Sequence, residues 1–220
     1  MAGFAGYDCS GFPGLAITGW LRSNTNLHWS GFYLAPAPSH KDASWMANRA
    51  ALVEQGWGLA PLYVGEQTIP PGSMQPSGSK GTTDGNDAVA LLKKAGFVVG
   101  TFVYLDLENG KPFTPLERDY VGNWVDTVSA AGFGPGVYCS HTFAGEVHAL
   151  KPAARLWVFK VPTVAVHVVP GNNFPDSHPA GSGVSSAFIW QLAQNALIDA
   201  KAPQKLKVDL DTALTPDPGQ

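Results

Sequence analysis

Residues 102–110 read FVYLDLENG, and the two carboxylates in this run, Asp106 and Glu108, stand two positions apart. Side chains on a strand alternate between its faces. Asp106 and Glu108 therefore share one face with Phe102 and Tyr104, while Val103, Leu105 and Leu107 form the other. Two more runs carry acids in the same way. Asp8 lies near the end of GFAGYDCS (3–10) on the face of Phe4 and Gly6, and Asp209 and Asp211 share a face of LKVDLDTAL (206–214). Like charges held together raise at least one carboxyl pKa, so an acid can stay protonated near neutral pH and act as a donor. Cleavage of a glycosidic bond uses that combination: one acid protonates the leaving oxygen and another steadies the positive anomeric carbon. A single acidic pair at a solvated strand end would do no chemistry, so the fold must bring these strands to one place.

A sugar cleft also needs flat apolar faces and amide partners. Tyr33, Tyr63, Tyr138, Trp157 and Trp190 all lie on apolar runs and could stack on pyranose rings, or could simply fill the core. Trp157 and Trp190, near the ends of their runs, are the better placed of these. Gln191 could bond an acetamido group or satisfy a strand edge. Glu66 and Gln67 head a long loop that could supply a further acid, and His141 follows a strand at either the rim or a solvated loop.

The elements that would position these residues recur along the chain. Eight apolar runs read as strands: 3–10, 29–35, 58–67, 101–108, 134–140, 154–161, 186–194 and 206–214. Between them, residues 41–57 place Trp45, Ala50, Leu52 and Val53 roughly on one helical face and end at Gly56. A second helix is predicted from Asn86 or Asp87 to Gly96. A third starts at Thr114, with Pro115 in its first turn and Glu117 at the capping-box position, and stops at Gly132. Repeated helix–glycine–strand junctions predict βα units, a parallel sheet and a compact (β/α)8 barrel of the TIM type with some helices short or missing, in one domain over 1–220. A parallel barrel would bring the carboxyl ends of strands 1, 4 and 8 to a common rim, and would put the Gly/Pro/Ser stretches 65–85 and 162–186 there as walls. Crowding by Asp106 should make Glu108 the most strongly raised acid. A doubly wound open sheet is the alternative, but no G-x-G-x-x-G or Walker loop follows a strand.

Composition removes other classes. Formal charge is −3 and no Lys/Arg run occurs, which argues against nucleic acid as a partner. No apolar stretch is long enough to span a membrane, and the first residues lack the basic and apolar regions of a signal peptide. The six histidines (28, 40, 141, 148, 167, 178) show no metal-ligand spacing, and no cofactor motif is present, so neither a metal nor a cofactor is expected. Cys9 and Cys139 fall on runs 1 and 5, on opposite sides of a barrel, and are expected to be free buried thiols.

In order, GYDCSG, YLDLE, GVYCS, LWVFKV, WQ and VDLD resemble the family 25 lysozymes. More closely, GWGLAPLYVGEQ with DGNDAVALLKKAGF and YLDLE resembles the bacterial glycoside-hydrolase-like domain, long described as a domain of unknown function. The resemblance covers nearly the whole chain. It implies a barrel related to muramidases, which cut the β-1,4 bond beside N-acetylmuramic acid in peptidoglycan. It implies Glu108 as general acid/base, Asp106 as the residue that orients the substrate acetamido group or steadies charge, and Asp8 and Asp209 as further cleft acids, in a retaining and possibly substrate-assisted reaction. Tyr63, Tyr138, Trp157, Trp190, Gln191 and Asp211 are the candidate substrate contacts, and the implied setting is a monomer delivered to the cell envelope. Two positions depart from the lysozyme pattern: Leu192 where Tyr is usual after Trp-Gln, and Asp211 where Asn is usual. Thr101 and Tyr104 break the longer acidic run of the family 18 chitinases. A glycan-binding module that keeps the barrel without catalysis is the alternative reading.

Overall fold

The computed structural model describes residues 2–68, 72–108, 112–161, 168–169, 172–198 and 205–220. In chain order the elements are β1 (Phe4–Asp8), α1 (Leu15–Asn24), β2 (Trp29–Tyr33), α2 (Arg49–Glu54), β3 (Gly58–Val64), α3 (Gly78–Lys94), β4 (Phe102–Asp106) and α4 (Pro115–Ala130). There follow β5 (Gly134–Ser140), α5 (Ala144–Leu150), β6 (Arg155–Phe159), β7 (Val168–Val169), a 3-10 turn (Pro179–Ser182), β8 (Ala187–Ile198) and β9 (Leu206–Ala213). Strands β1 to β6 pair in parallel in sequence order, β6 pairs in parallel with β8, and β8, β9 and β1 complete the ring. This is the closed eight-strand α/β barrel that the sequence predicts, with β7 paired in parallel to the far end of β8.

The all-parallel expectation fails at the seam. β9 runs antiparallel to both β8 and β1. Only residues 199–205 separate β8 from β9. A parallel return needs a crossover of a dozen residues or more, so so short a connection sends the chain straight back.

Helix α4 forms as its sequence predicts. Thr114 Oγ1 accepts from Glu117 N at 3.3 Å and the Glu117 carboxylate accepts from Thr114 N at 2.7 Å, which closes the capping box. Helix α3 begins well before the expected Asn86 or Asp87, at Gly78 with Ser77 as cap. Its first half, GSKGTTDG, reads as loop because glycine weakens an isolated helix. The glycines are there for packing: a Cβ on Gly81 would stand 2.3 Å from the carbonyl oxygen of Tyr120 in α4, and one on Gly85 2.8 Å from Thr127. The second part of the stretch 65–85, from Gly78 on, is thus helix and not loop. Helix α2 is shorter than expected, with Trp45 in the turn before it and Val53 49% exposed. Helices α1 and α5 carry no side-chain cap and gave no sequence signal.

One end of the barrel is sealed. Tyr104 Oη donates to Pro218 O at 2.9 Å, Phe102 N to Gly219 O at 2.7 Å, and Leu59 N to Asp217 Oδ1 at 3.0 Å, so the last residues cover the strand starts. Gly3 N donates to Asp176 O at 2.6 Å and Asn26 N to Asn172 O at 3.2 Å. Residues 172–177 therefore also cover this end, and Gly181 packs against the outward ring of Trp190, so neither walls the opposite rim as expected of the 162–186 stretch; residues 162–167 and 170–171 lie outside those described. The reason is topological, since the chain must return to the starting end before β8 can run parallel to β6. Within the barrel Trp157 meets Trp29, Tyr104 and Tyr138 edge-on, with ring centroids 5.5, 5.5 and 5.7 Å apart. Among the described residues no helix is long and apolar enough to cross a membrane.

Candidate active site

The open rim gathers the acids. Asp8 ends β1, Asp106 ends β4, and Glu108 follows two residues on. Because β9 is antiparallel, the register pairs Asp8 with Asp209 and Gly6 with Asp211. Asp209 is thereby at the rim and Asp211 one layer deeper, the reverse of the order along a parallel strand. Asp8, Asp106, Glu108 and Asp209 line one small cavity of about 30 Å3 with Tyr33, Leu62, Tyr138 and Trp157. Trp157 forms part of its floor. Glu108 also borders three larger hollows, of about 640, 320 and 180 Å3. The largest runs over Ser10, Tyr33, Ser39, His40, Val64, Gln67 and the loop residues Gly72, Ser73 and Met74. The β3–α3 loop therefore does wall the mouth, and Glu108 stands at the centre of a branched trough.

Neutral donors hold the acids in place. Tyr33 Oη donates to Asp8 Oδ1 at 2.6 Å. Asp209 accepts from Gln191 Nε2 and from Asn195 N, each at 2.6 Å, while Tyr138 Oη donates to Gln191 Oε1. Trp157 Nε1 donates to Asp211 Oδ1 at 3.0 Å. Gln67 clamps the end of β4: its Nε2 donates to Asp106 O at 2.9 Å and its Oε1 accepts from Glu108 N at 3.0 Å.

Burial is the first cause of every upward shift in the cluster, and mutual repulsion adds to it. Asp8 rises from 3.8 to about 7 through burial and then the Asp209 charge. Burial, Glu108 and Asp8 hold the Asp106 carboxyl well above the usual range, and burial, Asp8 and Asp209 do the same for Asp211. Glu108 is raised by burial and then by Asp209. The expected order is thus corrected. The buried acids Asp8, Asp106 and Asp211 carry the strong shifts because desolvation outweighs crowding, and at Glu108 the Asp209 charge adds to the repulsion it shares with Asp106.

Several expected contacts do not reach the mouth. Tyr63 pairs with outward-facing Leu105 and so points into the helix layer, where its Oη donates to Asp87 Oδ2 at 3.0 Å. Trp190 pairs with Thr212, one residue out of phase with the inward pair Gln191 and Asp211. Its Nε1 donates to Lys160 O at 3.2 Å and its ring lies against Gly181. Glu66 forms an ion pair with Lys80 at 2.7 Å and is no additional cleft acid. His141 Nδ1 lies 3.3 Å from Phe159 O. Residues that did not stand out in the sequence take their places. His40 borders the largest of these hollows, its ring 5.1 Å from Tyr33 and its Nε2 buried without a partner among the described residues, and Lys207 borders the second. Only folding could bring His40 to the mouth, for it lies far in sequence from the acids, whereas Lys207 stands two residues before Asp209 on β9. Cys139 is buried and free, while Cys9 is free but partly exposed beside the mouth. Among the described residues no cluster of His, Cys, Asp and Glu could hold a metal ion.

The fold has known counterparts. An uncharacterized protein of B. stearothermophilus superposes with a TM-score of 0.68 at 17% identity, over 96% of each chain. The catalytic domain of endolysin ply40 from bacteriophage P40 of Listeria monocytogenes gives 0.64 at 15%, over 96% of this chain and 93% of that one. The Mycobacterium tuberculosis Tat-secreted protein Rv2525c gives 0.63 at 14%, over 100% and 98%. At such identities the likeness is one of fold. No curated protein matches the sequence. The family model described as "Rv2525c-like, glycoside hydrolase-like domain" matches residues 23–204, and the chain belongs to that family.

Proposed function

We propose that this chain is a glycosidase directed at peptidoglycan or a related N-acetylated β-1,4 glycan. The observation that carries the reading is the convergence of Asp8, Asp106, Glu108 and Asp209 on one cavity whose described lining holds no cation. Such a mouth costs stability through repulsion that its neutral hydrogen bonds do not remove, whereas an oxocarbenium-like transition state is stabilised by it. Glu108 is the general acid/base: it alone of the four also borders all three larger hollows, and its raised pKa favours the protonated form that gives a proton to the leaving oxygen. Asp106 orients the acetamido group or steadies the charge beside it, and Asp8 and Asp209 steady the anomeric carbon. Tyr138, Gln191 and the wall formed by Gln67 and Met74 hold the sugar. The likeness to an endolysin catalytic domain supports a cell-wall glycan as substrate, and the Tat-secreted relative supports a site of action outside the cytoplasm.

The test is release of reducing ends and loss of turbidity from a bacterial peptidoglycan suspension, with Glu108→Gln in parallel. Cleavage by the parent protein alone supports the reading. Equal binding of glycan by both proteins with cleavage by neither would make the barrel a glycan-binding module.

A further inference from the structure

Asp211 is left without a role in the scheme above. It lies fully buried beneath the rim acids, on the same face of β9 as Asp209. Trp157 supplies a donor to its Oδ1, while its Oδ2 is buried with no donor among the described residues. Asp211 pairs with Gly6 of β1, which sets it on the face that carries Asp8 two residues on, and the two carboxyls meet there; they can form a hydrogen bond only if one of them keeps its proton.

The surrounding groups say which. From β1 comes Asp8; from β9 itself, Asp209; from β5, Tyr138; from β6, Trp157; and from β8, Gln191, the register partner of Asp211. None of these is a cation. Tyr138 donates to Gln191 and Gln191 to Asp209, and among the described residues no bond from either reaches the second oxygen of Asp211. Asp8 already has the Tyr33 hydroxyl, opens on the cavity, and can be ionised there. An ionised Asp211 would face two acids with one indole N–H as its sole support.

We propose that Asp211 is a positioning residue that stays protonated and donates its hydrogen to Asp8, so that Tyr33 and Asp211 together fix the Asp8 carboxylate toward the cavity. The bond holds one rim acid in a single orientation and keeps a proton beneath the mouth. Its effect on turnover rests on the glycosidase reading; the location of the proton does not.

The experiment is a carbon-13 NMR titration of the protein labelled at aspartate carboxyl carbons, with Asp211→Asn and Asp211→Leu. One signal, missing from both variants, should report a protonated acid throughout the neutral range. Asp8 should titrate alike in the parent and in Asp211→Asn, whose amide N–H can replace the donor. In Asp211→Leu its titration should move up by about one pH unit or more, as expected for a lost hydrogen bond to the charged form. If Asp211→Leu does not fold, the parent and Asn titrations still decide. An Asp211 signal already ionised at pH 7, or an Asp8 titration that Asp211→Asn moves, overturns the proposal. Should the parent protein hydrolyse no glycan, the reading of the mouth falls while the titration still tests the proton.

Discussion

Two acidic clusters, each with buried and exposed members, stand on either side of the barrel wall, and they are built on different plans. In the helix layer, Asp84 Oδ2 accepts from Tyr120 at 2.6 Å, Asp87 Oδ2 from Tyr63 at 3.0 Å, and Glu66 pairs with Lys80 at 2.7 Å. Each acid there meets its own donor, one of them a cation, and Tyr120 Oη also accepts from Glu66 N. Inside the mouth the acids face one another. Among the described residues, Asp106 Oδ1 and Asp211 Oδ2 are buried with no donor, and the central cavity has no cation on its lining. The first arrangement binds α3 and α4 to the barrel. The second leaves charge unbalanced where a substrate could use it, which is how a structural network of acids is told from a reactive one.

The largest effect that would sharpen this contrast is at Glu108. Glu108→Gln keeps the size and hydrogen-bonding ability of the side chain but removes the transferable proton, so peptidoglycan hydrolysis should fall about 10²–10⁴-fold. Thermal melting should stay level or rise, because a charge leaves a crowded cluster. A fall in melting temperature without loss of rate would put Glu108 in the structural class.

Tyr120→Phe should do the opposite. It removes the donor to Asp84 and the acceptor for Glu66 N, both buried interactions, at a cost of about 1–3 kcal/mol in denaturant unfolding. Hydrolysis per folded molecule should not change, and a rate loss at unchanged stability would break the distinction between the two clusters.

The third expectation concerns pH. Asp8 moves from 3.8 to about 7 on folding, so the folded state binds more protons than the unfolded chain between these values. Stability from this group is greatest at pH 4 and below and is lost as pH rises through about 7. Melting temperature should therefore decline from pH 4.5 to 7.5, with a shallower decline in Asp8→Asn. A rise over that range, as ordinary paired carboxylates give, would count against a repelling mouth.

The smallest effect is at Tyr63. Among the described residues its hydroxyl bonds Asp87 alone, in the helix layer, so Tyr63→Phe should cost about 0.5–1.5 kcal/mol and leave glycan affinity as it was. Weakened binding of an N-acetylated oligosaccharide would return Tyr63 to the cleft.

What could be read from the chain was set by neighbours in sequence. Thr114, Pro115, Glu117 and Gly132 bound α4 through hydrogen bonds and backbone angles within a few residues, and so they were legible. The alternation in FVYLDLE likewise fixed Asp106 on the face opposite Val103 and Leu105. Tertiary structure decided the rest. The direction of β9 depends on where a short connection lets it pair, and that direction alone puts Asp209 at the rim and Asp211 in the floor. The glycines at 81 and 85 look like helix breakers until α4 comes within contact. Tyr63 and Trp190 sit on strands as apolar as those of Tyr33 and Trp157, and only the register shows that the first two face out and the others in. Periodicity separates a strand into two faces, but which face is the interior is an energy of the whole barrel, set by pairings between residues far apart in the chain.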